Sequence, residues 1–433
     1  MRHTKLLSAA LIVAAAGLLP VRAPAQSYTE NFTGTTTTNQ WSYLTGACLT
    51  MGTVPTSATI GTAGAYFLPG CVNLPYYNGS PMPEFGGDTG VLPDMTSGAL
   101  RFTDWYAQTG AILSNFSFPL TGAGAQGLQV SFTSVTYEGD SGGGGHDGAD
   151  GMSFFLQDAS YPADVGAFGG SLAYTCSNVN YNGALGLDGL PRGYDGLQGG
   201  FIGLGIDEYG NFLNQGDNTA SGYGYVPGRI GLRGPGSTTW SWLSTNYPQY
   251  YPSTLTNAQG AAAVQASCRT GYVWDYSNPA APVETGIQLT DYAAIPGAYS
   301  LLPNGRKIAN ESATTRAQAI PITYNLSIVP STNSAGTSIS LLSLSYSYNG
   351  GALQNVITNQ DITAGGTIPV PANVRFGFAG STGGSRNIHE IMCFQATPAN
   401  LSQSSAGINQ KQSAKVETGT QAYFAYYSPT TLA

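Results

Sequence analysis

The chain has 433 residues, of which only 9% are charged, against 59 glycines and 27 tyrosines, and its formal net charge is −8. An acidic chain so poor in base is a bad partner for nucleic acid or an anionic membrane surface. Few charges with abundant Gly, Tyr, Ser and Thr suit an all-β, loop-rich extracellular protein better than a helical one.

Residues 1–25 read as a signal peptide: Arg2 and Lys5 give the positive start, Leu6 to Leu19 the apolar centre, and Ala23-Pro24-Ala25 a small-residue cleavage site. Removing Arg2, Lys5 and Arg22 leaves 12 basic residues against 23 acidic, a net charge of −11. No later stretch is long and apolar enough to cross a bilayer as a helix. The expected product is secreted, extracellular or at the cell surface, after transit through a periplasm. Five cysteines in an oxidising compartment invite pairing with one left over. Cys48 and Cys71, which flank a Gly/Pro-rich loop, form the first expected pair and Cys176 with Cys268 the second, leaving Cys393 as a buried thiol.

From Gln26 to about Gly98 the chain is turn-rich, with Trp41 and Tyr43 as core anchors. Strand-like runs follow at Ala99–Thr103, Ala111–Phe118, Leu128–Tyr137, Met152–Leu156 and Phe201–Ile206. They resume at Ile322–Val329, Ile339–Tyr348, Val374–Ala379 and Ile388–Gln395. Many short alternating strands between Gly/Pro/Asn turns predict a sandwich or jelly roll spanning residues 26–398. Residues from about 218 to 318 have weaker periodicity, five clustered aromatics between Trp240 and Tyr251, and one helix candidate, Gln259–Ser267; they are expected to form a loop-rich insertion. Residues 399–433 read as a linker and the possible start of a truncated following module.

The run Phe201–Ile206 ends abruptly in Asp207-Glu208-Tyr209-Gly210-Asn211. If extended geometry continues, Asp207, Tyr209 and Asn211 share one side and Glu208 takes the other. A carboxylate, a backbone carbonyl and a carboxamide oxygen then converge as donors for a hard cation, calcium being the natural occupant, with Asp217 able to return as a second carboxylate. A strand running into a polar turn is the competing interpretation.

Other motifs lack their context. Gly139-Asp140-Ser141-Gly142-Gly143 matches a protease nucleophile signature, but the one upstream histidine is His3. His389-Glu390 is half of a zinc-protease motif with Cys393 where the second histidine belongs. A jelly-roll glucanase needs carboxylates at alternate positions of one strand, whereas Asp207 and Glu208 are adjacent and point to opposite faces.

Taken together, four motifs resemble the L-type (legume-type) lectins in that family's order. Gly148-Ala149-Asp150-Gly151 is similar to their Ala-Asp-Gly loop, Gly169-Gly170-Ser171-Leu172 to their glycine-bearing loop, and Asp207-x-Tyr209-x-Asn211 to their calcium loop. Val374 to Gly383, followed by Ile388-His389-Glu390-Ile391, is similar to their last sugar-loop hairpin. The wording of the motifs resembles the lectin domain at the N-terminus of some PilY-like type IV pilus tip adhesins, and Glu417 to Tyr427 resembles the entry into the propeller that follows there.

The resemblance implies a concanavalin-like β-sandwich that binds glycans or glycoconjugates and is not an enzyme. It implies sugar contacts at Asp150 (after a cis peptide), Gly169, Gly170, Tyr209, Asn211, Gly383, Gly384, Ser385 and Arg386. It also implies calcium at Asp207, Tyr209, Asn211 and Asp217. Gly205 stands where plant members carry a Glu for a transition metal, so calcium alone is expected. The expected function is a calcium-dependent lectin or adhesin, at the cell surface or with type IV pilus components. The alternatives are a jelly-roll glycoside hydrolase and a surface module with no sugar pocket.

Overall fold

The computed structural model describes residues 27–53, 68–73, 98–106, 108–121, 126–140, 148–179, 194–216, 219–301 and 307–399. The expected signal peptide, almost all of the expected linker (400–433) and Asp217 lie outside these residues. No helix among the described residues is long and apolar enough to cross a membrane.

In chain order the elements are β1 (Tyr28–Glu30), β2 (Trp41–Thr45), β3 (Cys48–Leu49), β4 (Leu100–Thr103), β5 (Thr109–Ser114), β6 (Phe118–Pro119), β7 (Leu128–Asp140), β8 (Gly151–Asp158), β9 (Gly200–Asp207) and β10 (Arg229–Arg233). Then come α1 (Trp240–Asn246), α2 (Asn257–Thr270), β11 (Tyr272–Asp275), β12 (Val283–Gln288), β13 (Ala294–Leu301), β14 (Ile322–Thr332), β15 (Ser338–Tyr348), β16 (Leu353–Asp361), β17 (Asn373–Ser381) and β18 (Arg386–Pro398).

Two antiparallel sheets face each other. The back sheet runs β16-β15-β14-β7-β18-β4-β3 with β1 beside β18, and the front sheet runs β13-β10-β9-β8-β17-β5-β2 with β6 beside β17. Strands lie in all nine of the expected runs, Ala111–Phe118 being broken between β5 and β6, and the fold is the predicted all-β jelly-roll sandwich. Leu128, Val130 and Phe132 of β7 point into the core while Gln129 and Ser131 between them are half-buried. Phe132, Phe154, Phe376, Phe378 and Phe394 meet at its centre with ring centroids 5.2–6.4 Å apart, distances at which aromatic pairs add to plain burial.

The glycines of β9 have a packing cause. Ile202, Leu204 and Ile206 enter the inter-sheet core, each worth roughly 1.5–3 kcal/mol of burial. On the opposite face a Cβ at Gly203 would overlap the Tyr174 ring, and one at Gly205 would overlap the Phe212 ring. The front sheet is thereby covered on its outer face by the loops carrying Tyr174 and Phe212, and Phe212 fills the space a longer side chain at position 205 would need.

The interval expected as an insertion divides. Residues 229–233 and 294–301 pair as front-sheet strands, and the excursion runs between them. It holds α1, α2 and the β11–β12 pair around its own core of Leu243, Tyr251, Val264 and Val273. The helix candidate Gln259–Ser267 extends over α2 because Thr256 and Gln259 form a reciprocal capping box and Gly271, at φ +72°, ends it. Both expected disulfides, Cys48–Cys71 and Cys176–Cys268, are present. Cys393 keeps a free thiol beside Thr133, and burial pushes its pKa up.

Candidate functional site

Strand register gathers the expected residues at one end of the front sheet. Ser381 pairs with Thr109 and with Gly151, Gly151 pairs with Asp207, and Asp207 pairs with Arg229. Loops leaving this row of residues fall beside one another although their positions span more than 250 residues.

Asp150, just before β8, is buried. The Ala149–Asp150 peptide is cis, the isomer the resemblance implies. The Asp150 N–H donates to the Ser381 carbonyl at 2.7 Å, and the Asp150 carbonyl accepts from the N–H groups of Glu208 at 3.2 Å and Tyr209 at 3.1 Å. Ser381 Oγ donates to the Gly169 carbonyl at 3.0 Å, which fixes the glycine loop above the same row. Gly170 lies against Asn211: a Cβ there would stand 3.3 Å from Asn211 Cγ and closer still to its Cβ. A Cβ on Gly383 would lie 3.6 Å from Asp150 Oδ2. Asp150, Gly169, Gly170, Asn211 and Gly383 are therefore brought together.

The strand does not continue extended to Asn211, as the alternation argument supposed. It ends at Asp207, and the chain turns at Gly210, whose φ is +107°. Asp207 holds the turn, Oδ1 accepting from Gly210 N–H and Oδ2 from Phe212 N–H, each at 2.8 Å. Burial pushes the Asp207 carboxyl up to about 7, those two amides and Arg229 oppose the rise, and the nearby Asp150 carboxylate adds to it. Asn211 reaches the cup through this turn; its Oδ1 accepts from Asn214 Nδ2 at 3.0 Å. The half-buried Tyr209 sets its ring edge to Tyr225, centroids 5.6 Å apart.

The loop supplies oxygen donors of the kind a hard cation takes: the Asp207 carboxylate, the Tyr209 carbonyl and Asn211 Oδ1. Each Asp207 oxygen spends one lone pair on an amide and keeps another. Among the described residues no group of three or more His, Cys, Asp or Glu could hold a metal ion. One carboxylate with carbonyl and amide oxygens is a donor set that suits a hard cation better than zinc.

Glu208 departs in the other direction. Its Oε2 lies 3.0 Å from His389 Nε2 across the sandwich, and His389 Nδ1 lies 2.7 Å from Thr103 Oγ1, with all three side chains buried. His389 and Glu390 are consecutive on β18, and both are buried. Glu390 turns outward under residues 307–320. It accepts from Arg101 Nε and Nη2 at 2.9 and 2.8 Å and from Arg316 Nε and Nη2 at 2.5 and 2.9 Å. Burial pushes its carboxyl up, but the guanidiniums of Arg316 and Arg101 outweigh that and hold it near 2.

The remaining residues expected to contact sugar differ among themselves. Gly384 is open, with nothing within 4 Å of a Cβ. Ser385 is buried, and its carbonyl takes the Gly383 N–H at 3.1 Å, closing the tip. The Arg386 guanidinium lies 4.0 Å from the centre of the Trp105 ring and 5.3 Å from that of Tyr106. Trp105, 39% exposed, and Tyr106 belong to the β4–β5 loop, which sequence reasoning passed over. Thr382 secures that loop, its Oγ1 donating to the Trp105 carbonyl at 2.6 Å and accepting from Gln108 N–H at 3.0 Å. An aromatic pair between two strands was the available signal.

No family model and no curated protein matches the chain. Solved structures similar to it include peanut lectin with a nine-residue peptide, at 15% identity and TM-score 0.35 over 70% of this chain and 86% of that one. The calcium- and mannose-bound exoplasmic/lumenal domain of VIP36 is similar at 12% identity and TM-score 0.33, over 70% of this chain and 78% of that one. Basic winged bean lectin with Tn-antigen is similar at 14% identity and TM-score 0.37, over 87% of this chain and 100% of that one. Likenesses this distant carry over neither a ligand nor a metal.

Proposed function

We propose that the chain is an exported, calcium-dependent carbohydrate-binding protein, a lectin or adhesin acting at the cell surface or with a type IV pilus. The observation that carries this reading is the convergence of Asp150, the Gly169–Gly170 loop, Asn211 and Gly383 at one end of the front sheet. Asp150 and Asn211 supply an acceptor and an amide donor for sugar hydroxyls. The glycines keep the surface between them low enough for a ring to approach, and Tyr209 and Tyr225 border it with apolar faces. Asp207, the Tyr209 carbonyl, Asn211 Oδ1 and Asp217 are the residues that would hold calcium. Bound there, the ion would balance the buried charge of Asp207 and Asp150 and fix the turn that presents Asn211.

The geometry favours binding over glycoside hydrolysis. Asp207 is committed to loop amides and Glu208 to His389 in the interior, so the adjacent pair does not flank a common cleft. Glycan-array binding of the mature chain, with calcium and with chelator, is the direct test. Binding that needs calcium and disappears in Asp150→Ala and Asn211→Ala of unchanged melting temperature supports the reading. Turnover of a polysaccharide abolished by removing one carboxylate favours the hydrolase, and no binding under any condition favours a structural surface module. The surface and pilus assignment rests on the motif resemblance, and co-purification with sheared pili tests it.

A further inference from the structure

Arg386 is placed for a task that the fold does not require of it. Among the described arginines, Arg101 and Arg316 pair with Glu390, and buried Arg233 donates to the carbonyls of Phe212 and Tyr292. Arg386 makes no ion pair with any described carboxylate; its guanidinium carbon instead lies over Trp105, 4.0 Å from the ring centre. Asp140, its register partner across the β7–β18 ladder, accepts from the Tyr106 hydroxyl through Oδ2, and Tyr106 also hydrogen-bonds Arg386. Trp105 is in turn tied to the sugar-loop hairpin through Thr382. A half-exposed cation thus stands three residues from Gly383, which faces Asp150, in a chain whose formal charge is −8.

Stacking on an aromatic ring restricts a guanidinium while leaving its N–H edge able to take a planar or tetrahedral oxyanion in bidentate fashion. We infer that Arg386 reads an anionic substituent, a carboxylate or a sulfate ester, on a sugar seated in the cup, so that the protein selects acidic glycans. This rests on the carbohydrate-binding reading and deepens it. Asp150 and Asn211 hold the ring, and Arg386, oriented by Trp105 and Tyr106, distinguishes the charged sugar from its neutral counterpart.

The test is isothermal titration of the mature, calcium-loaded chain with matched oligosaccharides: a uronic-acid form, a sulfated form and the neutral parent of each. The expected result is a preference of about 10- to 100-fold for at least one acidic form, with the two acidic arms separating carboxylate from sulfate recognition. Arg386→Gln should abolish the preference, weakening the acidic forms far more than the neutral parent, while Arg386→Lys should keep part of it. Equal affinity of the native chain for neutral and acidic forms overturns the inference but leaves the sugar site standing. So does a uniform loss across all ligands in Arg386→Gln accompanied by a lowered melting temperature, which would make Arg386 a staple of the hairpin. Binding to none of the ligands overturns the carbohydrate reading itself, and this inference with it.

Discussion

Gly170→Ala isolates the part Asn211 plays in the cup. The φ of Gly170 lies outside the left-handed region, unlike that of its neighbour Gly169 at +67°, so alanine meets no backbone penalty there. The only obstacle is Asn211: the new Cβ would come within the 3.0 Å that real Cβ atoms essentially never show. Ordinary contact begins at 3.4 Å, so one side chain must withdraw by more than 0.4 Å. Asn211 sits in a half-exposed turn, whereas Gly170 is followed by Ser171 and Leu172, both buried. Asn211 should therefore be the one to yield. If its amide donates to the sugar, displacing it forfeits a hydrogen bond and strands its partner, about 1–3 kcal/mol or roughly 5- to 150-fold in Kd. Calorimetric titration with the best array ligand measures this, and a thermal melt follows stability. In an Asn211→Gly background, which removes both the amide and the Cβ that the alanine would meet, the same glycine change should cost nothing further. Native affinity in Gly170→Ala, or losses that simply add in the double variant, would refute the assignment of Asn211 to the ligand. Gly384→Ala, with open space at its Cβ, is the control expected to leave stability unchanged.

Four further outcomes follow from the same geometry. Glu390→Gln leaves Arg101 and Arg316 buried without their countercharge and should cost about 3–5 kcal/mol, seen as a drop of several degrees in the thermal melt. The Glu390 carboxyl sits near 2 when folded, below its ordinary 4.5. Its stabilisation is therefore complete above about pH 4.5 and lost as pH falls toward 2, and urea titrations across that window should fall more steeply for the native chain than for Glu390→Gln. Calcium at about 100 times its Kd should add roughly 3 kcal/mol of stability that a chelator removes; a melt indifferent to calcium would count against the metal loop. Replacing Cys176 and Cys268 by alanine, which opens a link across 92 residues, should cost about 2–5 kcal/mol, measured by urea unfolding.

The sandwich was legible where a strand alternates between buried and half-buried residues, as in β7 and β14, or runs almost continuously apolar, as in β8 and β9. It was not legible where neither pattern holds. β16 lies at the edge of the back sheet with most of its residues exposed or half-buried, and β10 is five residues with an arginine at each end. α1 escaped because its buried contacts come from Trp240, Trp242 and Leu243 in a seven-residue helix too short to show a period. In the cup, Asp207 and Glu208 could be sent to opposite sides from adjacency alone. Where Glu208 would end could not, since its partner His389 is 181 residues away on the other sheet. The turn at Gly210 was likewise hidden, because a glycine in that position is compatible with extended chain as well as with φ +107°.

The excursion between β10 and β13 illustrates how the fold connects regions that the sheet itself keeps apart. Arg229 pairs with Asp207 at the cup end of β10, whereas Arg233 pairs with Gly203 and Ala294 at the far end. The chain thus leaves the sheet and returns to it away from the loops that gather around Asp150. The excursion nevertheless reaches them by a covalent route. Cys268 near the end of α2 is joined to Cys176, the Cys176 carbonyl accepts from Ser171 Oγ at 3.2 Å, and Ser171 closes the turn that begins with Gly169 and Gly170. The loop that confronts Asn211 is consequently anchored from two directions, by Ser381 in the sheet and by α2 through the disulfide. An insertion with no residue among the expected sugar contacts can in this way help set the height of one wall of the cup.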